Sequence, residues 1–94
     1  MRVVWLRRAI RDLEAVRDFV ARDEPEAAQR LAGRLRKAVE VLAEQPGIGR
    51  PGRVPGTREL VVTNTPYLIP YRVRDQIIEI LRVLHAARRW PEEL

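Results

Sequence analysis

The sequence predicts an α+β domain: an N-terminal strand, a two-helix antiparallel hairpin, then a three-stranded antiparallel meander. Three observations predict it. The apolar pattern switches at Arg7 from a short extended run to helical spacing. A second helical run begins almost at once, at Pro25. A glycine- and proline-rich stretch from Pro46 to Gly56 then separates the helices from three strand-like runs divided by turn residues. Helices followed by strands call for two layers, with the helices on one face of a mostly antiparallel sheet. At 94 residues the chain is expected to form one domain over 1–94.

Each element has a local cause. Arg2-Val3-Val4-Trp5-Leu6 is β-branched and aromatic, which suits a first strand. From Arg7, the residues Ile10, Leu13, Val16 (or Arg17) and Val20 recur at three- and four-residue spacing between charged residues, so an amphipathic helix is expected. It should stop near Arg22-Asp23-Glu24, because Pro25 disfavours helical geometry in the residue before it. Pro25 suits the first turn of the next helix, where no N–H is needed, and Glu26 favours its positive end. Ala28, Leu31, Leu35, Ala38, Val39 and Leu42 form that helix's apolar stripe, ended by Pro46-Gly47.

The strand-like runs are Arg58–Thr63, Leu68–Arg74 and Gln76–His85, with turns at Asn64-Thr65-Pro66 and Arg74-Asp75-Gln76. In the last run Ile77, Leu81 and Val83 are expected on one face and Ile78, Ile80 and Leu84 on the other. Two apolar faces call for an inner strand covered on both sides, by the helices on one and by the tail or another chain on the other. Pro70 removes a ladder donor in mid-strand, so a bulge or an unpaired position is expected there.

Composition excludes several classes. The chain has no cysteine, so it has no disulfide and no thiolate, and its one histidine, His85, makes a protein-only zinc site unexpected. No metal or other cofactor is predicted. No apolar run is long enough for a membrane span, and Arg7, Arg8 and Arg11 interrupt any signal-peptide core. A cytoplasmic protein with no membrane partner is expected. The net charge of +5 points to an acidic or polyanionic partner. The excess is spread along the chain, but Arg50, Arg53 and Arg58 form a run with no acid until Glu59.

Over its whole length the chain resembles the RelE/ParE superfamily of type II toxin–antitoxin toxins. Beyond element order, the resemblance rests on Trp5-Leu6 before a charged amphipathic helix and on Pro46-Gly47-Ile48-Gly49-Arg50-Pro51-Gly52 feeding Arg58-Glu59-Leu60-Val61. Its most specific part is Pro66-Tyr67-Leu68-Ile69-Pro70-Tyr71-Arg72-Val73, then Ile78 to His85, then Ala86-Ala87-Arg88-Arg89-Trp90-Pro91. The resemblance implies a bacterial toxin neutralised by a cognate antitoxin, whose C-terminal segment would wrap it as a hetero-oligomer.

The superfamily divides by target. RelE- and YoeB-like members cleave mRNA on the ribosome. That chemistry wants a proton acceptor, a proton donor and cations around the phosphate. ParE-like members, among them plasmid-stabilisation toxins, act on DNA gyrase. His85 matches the strand-ending histidine of the nuclease branch. Ala86 stands where a terminal tyrosine is expected, Leu68 where an arginine is expected, and the loop glutamate falls near Gly52. The resemblance therefore favours the ParE-like branch, a gyrase inhibitor acting by protein contact. The alternatives are a ribosome-dependent nuclease using His85 as catalytic residue, or a degenerate toxin kept for antitoxin binding.

The residues expected to meet phosphate or partner are Arg50, Arg53, Arg58, Arg72, Arg88, Arg89 and Trp90. Glu59 and Glu79 are the nearest carboxylates in sequence. Arg72, Arg74 and Arg82 also suit solvated or ion-paired strand positions, and Trp90 suits packing on its own domain ahead of partner contact. Strand alternation places Arg72 with Leu68, and Tyr67 with Tyr71 on the opposite face.

Overall fold

The computed structural model describes residues 1–94. The elements are β1 (Arg2–Trp5), α1 (Arg7–Ala21), α2 (Pro25–Val41), β2 (Arg50–Pro51), β3 (Arg58–Val61), β4 (Tyr67–Arg74), β5 (Ile77–Ile80) and β6 (Leu84–His85). The sheet order is β1-β5-β4-β3-β2, with β6 also on β4. β1 lies parallel to β5, and the remaining pairs are antiparallel. The first strand thus closes the sheet at one edge, and the expected meander forms its centre.

α1 buries Ala9 and half-buries Leu13, Val16 and Val20, whereas Ile10 is 43% exposed. The expected stripe is therefore corrected at its first position. Ala9 shares a helix face with Leu13 and Val16 at four- and seven-residue spacing, and Ile10 lies off that face. α2 begins at Pro25 with Glu26 in its first turn, and buries Ala28, Ala32, Leu35 and Val39. Its regular part ends at Val41, after which Leu42 to Gln45 form further turns before Pro46.

The helices cover one face of the sheet. Ala9, Leu35, Val39 and Leu42 pack on Leu60, Val62, Tyr67, Ile69, Tyr71, Ile78, Ile80 and Val83, with Val3 and Trp5 at the margin. Burial of each large aliphatic side chain there is worth about 1.5–3 kcal/mol. The turn between β4 and β5 is set by Asp75 and Gln76, both at positive φ, between the paired Arg74 and Ile77. Two such residues match the twist of a tight hairpin.

The last strand-like run is broken, and this corrects the expected faces. Tyr71 pairs with Ile80 and Leu68 pairs with Leu84, so Ile69 and Pro70 on β4 oppose Leu81, Arg82 and Val83. One residue is extra, which defines a β-bulge. The bulge lies opposite Pro70. Leu81 N–H donates to the Pro70 carbonyl at 2.9 Å, and Pro70 has no N–H to return. Beyond the bulge the alternation flips, so Val83 joins Ile78 and Ile80 in the core instead of Leu81. The expected loop at Gly47–Gly56 also contains β2, which pairs Arg50 with Glu59 and Pro51 with Arg58.

Candidate functional site

The bulge positions His85. Without the extra residue, strand alternation would turn His85 to the other face of the sheet. With it, His85 pairs with Tyr67, and the two rings meet edge to face at 5.5 Å between centroids. His85 is half-buried, and its Nδ1 accepts from the N–H of Ala87 at 3.2 Å. Asp12 of α1 stabilises the bulge. Its carboxylate accepts from Arg82 Nε at 2.7 Å, from Arg82 Nη2 at 3.1 Å and from the N–H of Val83 at 2.9 Å. The hydrogen bond from Arg82 to Asp12 raises the guanidinium pKa, against a smaller effect of burial.

A shallow depression of about 210 Å³ opens beside His85, lined in part by Asp12, Val16, Tyr67, Arg88 and Arg89. Arg88 lies with its guanidinium 5.7 Å from the Phe19 ring. Leu68 is buried at 4% exposure and Ala86 is exposed. Leu68 pairs with Leu84 on the face away from His85, so the two positions that depart from the nuclease pattern bring neither a cation nor a hydroxyl to the depression.

The other cations named from sequence lie elsewhere, and three of the four are paired with carboxylates. Glu59, 2% exposed on the sheet face away from the helices, accepts from Arg50 Nε at 3.2 Å and Nη2 at 3.1 Å. Its other oxygen accepts from the N–H of Arg53 at 2.9 Å, with Arg53 Nε at 3.7 Å. The acid-free run from Arg50 to Arg58 is therefore folded around the carboxylate that ends it. Gly52 faces Thr57 across this loop, where an added Cβ would lie 2.1 Å from the Thr57 hydroxyl oxygen. Arg58 is on the helix face and donates to the carbonyls of Gly49 at 2.8 Å and Gly47 at 3.4 Å. Arg72 pairs with Glu79 at 2.6 Å, and Arg74 approaches the same oxygen at 3.4 Å. The Arg72 hydrogen bond holds the Glu79 carboxyl below the usual carboxylate range, against an opposing effect of burial.

Trp90 packs on its own domain. The Arg53 guanidinium lies 3.6 Å from its ring centroid, and the indole N–H is buried with no acceptor. The tail continues to Leu94, whose carbonyl accepts from Arg8 at 2.9 Å. The structure thus brings His85, Arg88 and Arg89 together, joins Arg50, Arg53 and Trp90 in a second group around Glu59, and leaves Arg58 and Arg72 apart from both.

Sequence reasoning missed two anchors, Asp12 and Tyr71. Asp12 had a signal, since it lies one helical turn from both Ala9 and Val16 on the inner side of α1. Tyr71 is fully buried, donates to the Pro46 carbonyl at 2.7 Å and accepts from the N–H of Gly49 at 2.9 Å. Burial pushes its hydroxyl pKa up, only partly offset by the Gly49 hydrogen bond and Arg58. A Cβ at position 49 would lie 2.6 Å from the ring, so glycine is required by the close approach.

The chain is similar to known proteins over most of its length. The family described as ParE toxin of type II toxin-antitoxin system, parDE, matches residues 3–90. The chain is 48% identical over 94 residues to the Sinorhizobium fredii protein named "Putative toxin Y4kP", covering 99% of this chain and 96% of the relative. It is 49% identical over 86 residues to the Caulobacter vibrioides protein named "Toxin RelE2", covering 92% and 96% respectively. A solved chain of the chromosomal ParDE TA system from P. aeruginosa superposes with a TM-score of 0.84 at 34% identity, covering 90% of this chain and 95% of that one. With the likeness running from the first strand through the bulge to Trp90, the chain belongs to the ParE toxin family of type II toxin–antitoxin systems, within the RelE/ParE superfamily.

Proposed function

We propose that this toxin acts on DNA gyrase by protein contact and is neutralised by a cognate antitoxin. The observation that carries the reading is the surrounding of His85. The strand beside it sets the Tyr67 ring against the imidazole where ribonuclease chemistry wants a cation, Leu68 is turned to the opposite face of the sheet, and Ala86 follows His85 where a hydroxyl is wanted. Arg50, Arg53 and Arg72 are already paired with Glu59 and Glu79, so using them on a phosphate would first cost those pairs. The likeness to the ParDE toxin of P. aeruginosa supports the same branch and supports an antitoxin partner. The sequence carries a net charge of +5, which suits an acidic antitoxin segment. No helix is long and apolar enough to cross a membrane.

The test is a supercoiling assay with purified gyrase. Inhibition that added antitoxin reverses is the expected result, and full supercoiling at saturating toxin would overturn the reading. A second reading, cleavage of mRNA on the ribosome, is favoured by one observation: His85 shares its depression with Arg88 and Arg89. Cleavage on programmed ribosomes that is lost in His85→Ala would support it. Silence in both assays with antitoxin binding intact would identify a toxin kept for partner binding.

A further inference from the structure

β1 is an outer strand that pairs with β5 alone, in parallel register. The N–H of Leu6 donates to the Ile80 carbonyl at 3.0 Å. In such a ladder, successive residues turn their N–H and C=O alternately toward and away from one neighbour. Leu6, Val4 and Arg2 therefore face β5, and Val3 and Trp5 present both groups outward. An unpaired row of this kind is a template for another strand.

The template is complementary to itself. A second β1 laid antiparallel, Val4 against Val4, sets Val3 opposite Trp5 and Trp5 opposite Val3. Both are pairs that exchange N–H and C=O bonds in each direction, as a two-fold contact requires. The side chains agree. Val3 and Trp5 point to the helix face, so the half-buried Val4 meets its copy on the far face. There Arg2 falls opposite Leu6, so the two Arg2 side chains stay apart.

On the helix face, a groove of about 430 Å³ lies between β1 and α2, lined in part by Met1, Val3, Trp5, Arg36, Val39 and Glu40. It holds one charged side chain of each sign, and neither Arg36 nor Glu40 joins an ion pair within the chain. α2 runs against β1. Its Arg30 and Arg34 lie by the Asn64–Thr65 turn that leads into β4, whereas the Ala43 carbonyl accepts from the Met1 ammonium at 2.7 Å at the opposite end of the sheet. From Met1 to Val4 the strand advances about 10 Å. α2 covers that distance in about six or seven residues back from Ala43. A two-fold axis through the Val4 pair thus passes close to Lys37, between Arg36 and Glu40. The two α2 helices lie antiparallel on one side of the joined sheet, and Arg36 of each faces Glu40 of the other across the merged groove. A partner charged with one sign would meet only one of these residues.

We infer that the outer edge of β1 and the groove beside it seat a second copy of this chain, in a two-fold dimer that pairs Val3 with the partner's Trp5 and sets Arg36 against the partner's Glu40. The inference goes beyond the proposed function and does not rest on it.

The experiment follows the full chain alone by sedimentation from about 1 μM to about 1 mM, with amide exchange read residue by residue at both ends of the range. A monomer–dimer equilibrium is expected, with exchange at Val3 and Trp5 slowed about tenfold or more in the dimer and the opposite edge, at β2 and β3, unchanged. Dimerisation is expected to weaken about fivefold or more in Arg36→Glu, which sets like charges across the groove, and to recover in Arg36→Glu/Glu40→Arg, which exchanges them. Both residues are exposed on α2, so the fold is kept. A monomer throughout would leave the edge to a different partner and overturn the inference. A dimer protected elsewhere than at Val3 and Trp5, or a double variant no better than Arg36→Glu, would overturn it as well. Gyrase and ribosomes are absent from these measurements, so failure here and failure of the proposed function are read separately.

Discussion

The two faces of the sheet are held by different physics. The helix face is packed mainly by apolar side chains, and the hydroxyl of the fully buried Tyr71 is satisfied on both sides by the Pro46 carbonyl and the Gly49 amide. The opposite face carries Glu59 with Arg50 and Arg53, Glu79 with Arg72 and Arg74, and the tail through Trp90. Hydrophobic burial scales with area and resists dissection, whereas ion pairs with half-exposed partners contribute little each and weaken with salt. The comparison teaches that stability resides on the helix face, while the opposite face chiefly fixes where a loop and a tail sit.

The sharpest break should come from the core. Ile80→Ala empties a site with no exposed surface, and is expected to cost about 3–4 kcal/mol, read as a lower urea midpoint at unchanged slope. Tyr71→Phe keeps the ring but leaves the Gly49 N–H and the Pro46 carbonyl without their partner, for about 1–3 kcal/mol in the same titration. Tyr71 also gives the helix face an alkaline limit. Its folded pKa is raised above 10.0, so its stabilising effect is complete below that value and is lost as pH rises beyond it. Tyr71→Phe should flatten that alkaline loss in a pH series of thermal melts.

On the other face, Arg53→Ala removes the guanidinium from the Trp90 ring, and is expected to cost about 1 kcal/mol or less. The change should show as faster amide exchange confined to the tail and to Arg50–Arg58; a global loss as large as that of Ile80→Ala would erase the distinction between the faces. The smallest effect is expected at Glu79. Arg72 depresses its folded pKa, so its contribution is present above the unfolded value of 4.5 and disappears as pH falls through the folded one. Glu79→Gln should remove that acid-side slope through a small loss of stability near neutral pH, with no change at the acid end.

The same contrast explains what was legible beforehand. The core face could be read because a 3.6-residue period in Leu35, Val39 and Leu42, and alternation in Ile78 and Ile80, are written in neighbouring residues. The arginines of the opposite face could be listed but not assigned, because whether Arg53 meets solvent, Glu59 or Trp90 depends on how the Pro46–Gly56 loop folds back on β3. The candidate site shows both limits. His85 and its departures at Leu68 and Ala86 were visible as positions, but the grouping of His85 with Arg88 and Arg89, apart from Arg72, was not.

By itself the sequence determined the α+β order, the helix start at Pro25, the turns around Asn64 and Asp75, and the apolar stripe of α2. These depend on dihedral preferences and periodicities carried by a few adjacent residues. Tertiary structure decided the parallel place of β1, the pairing of the cations, and the side of the sheet on which Val83 and His85 emerge. That last choice turns on one extra residue opposite Pro70, held by Asp12 at a separation of 70 residues from Arg82. A one-residue slip reverses every later side chain in a strand, and here the contact that fixes the slip comes from the other end of the chain.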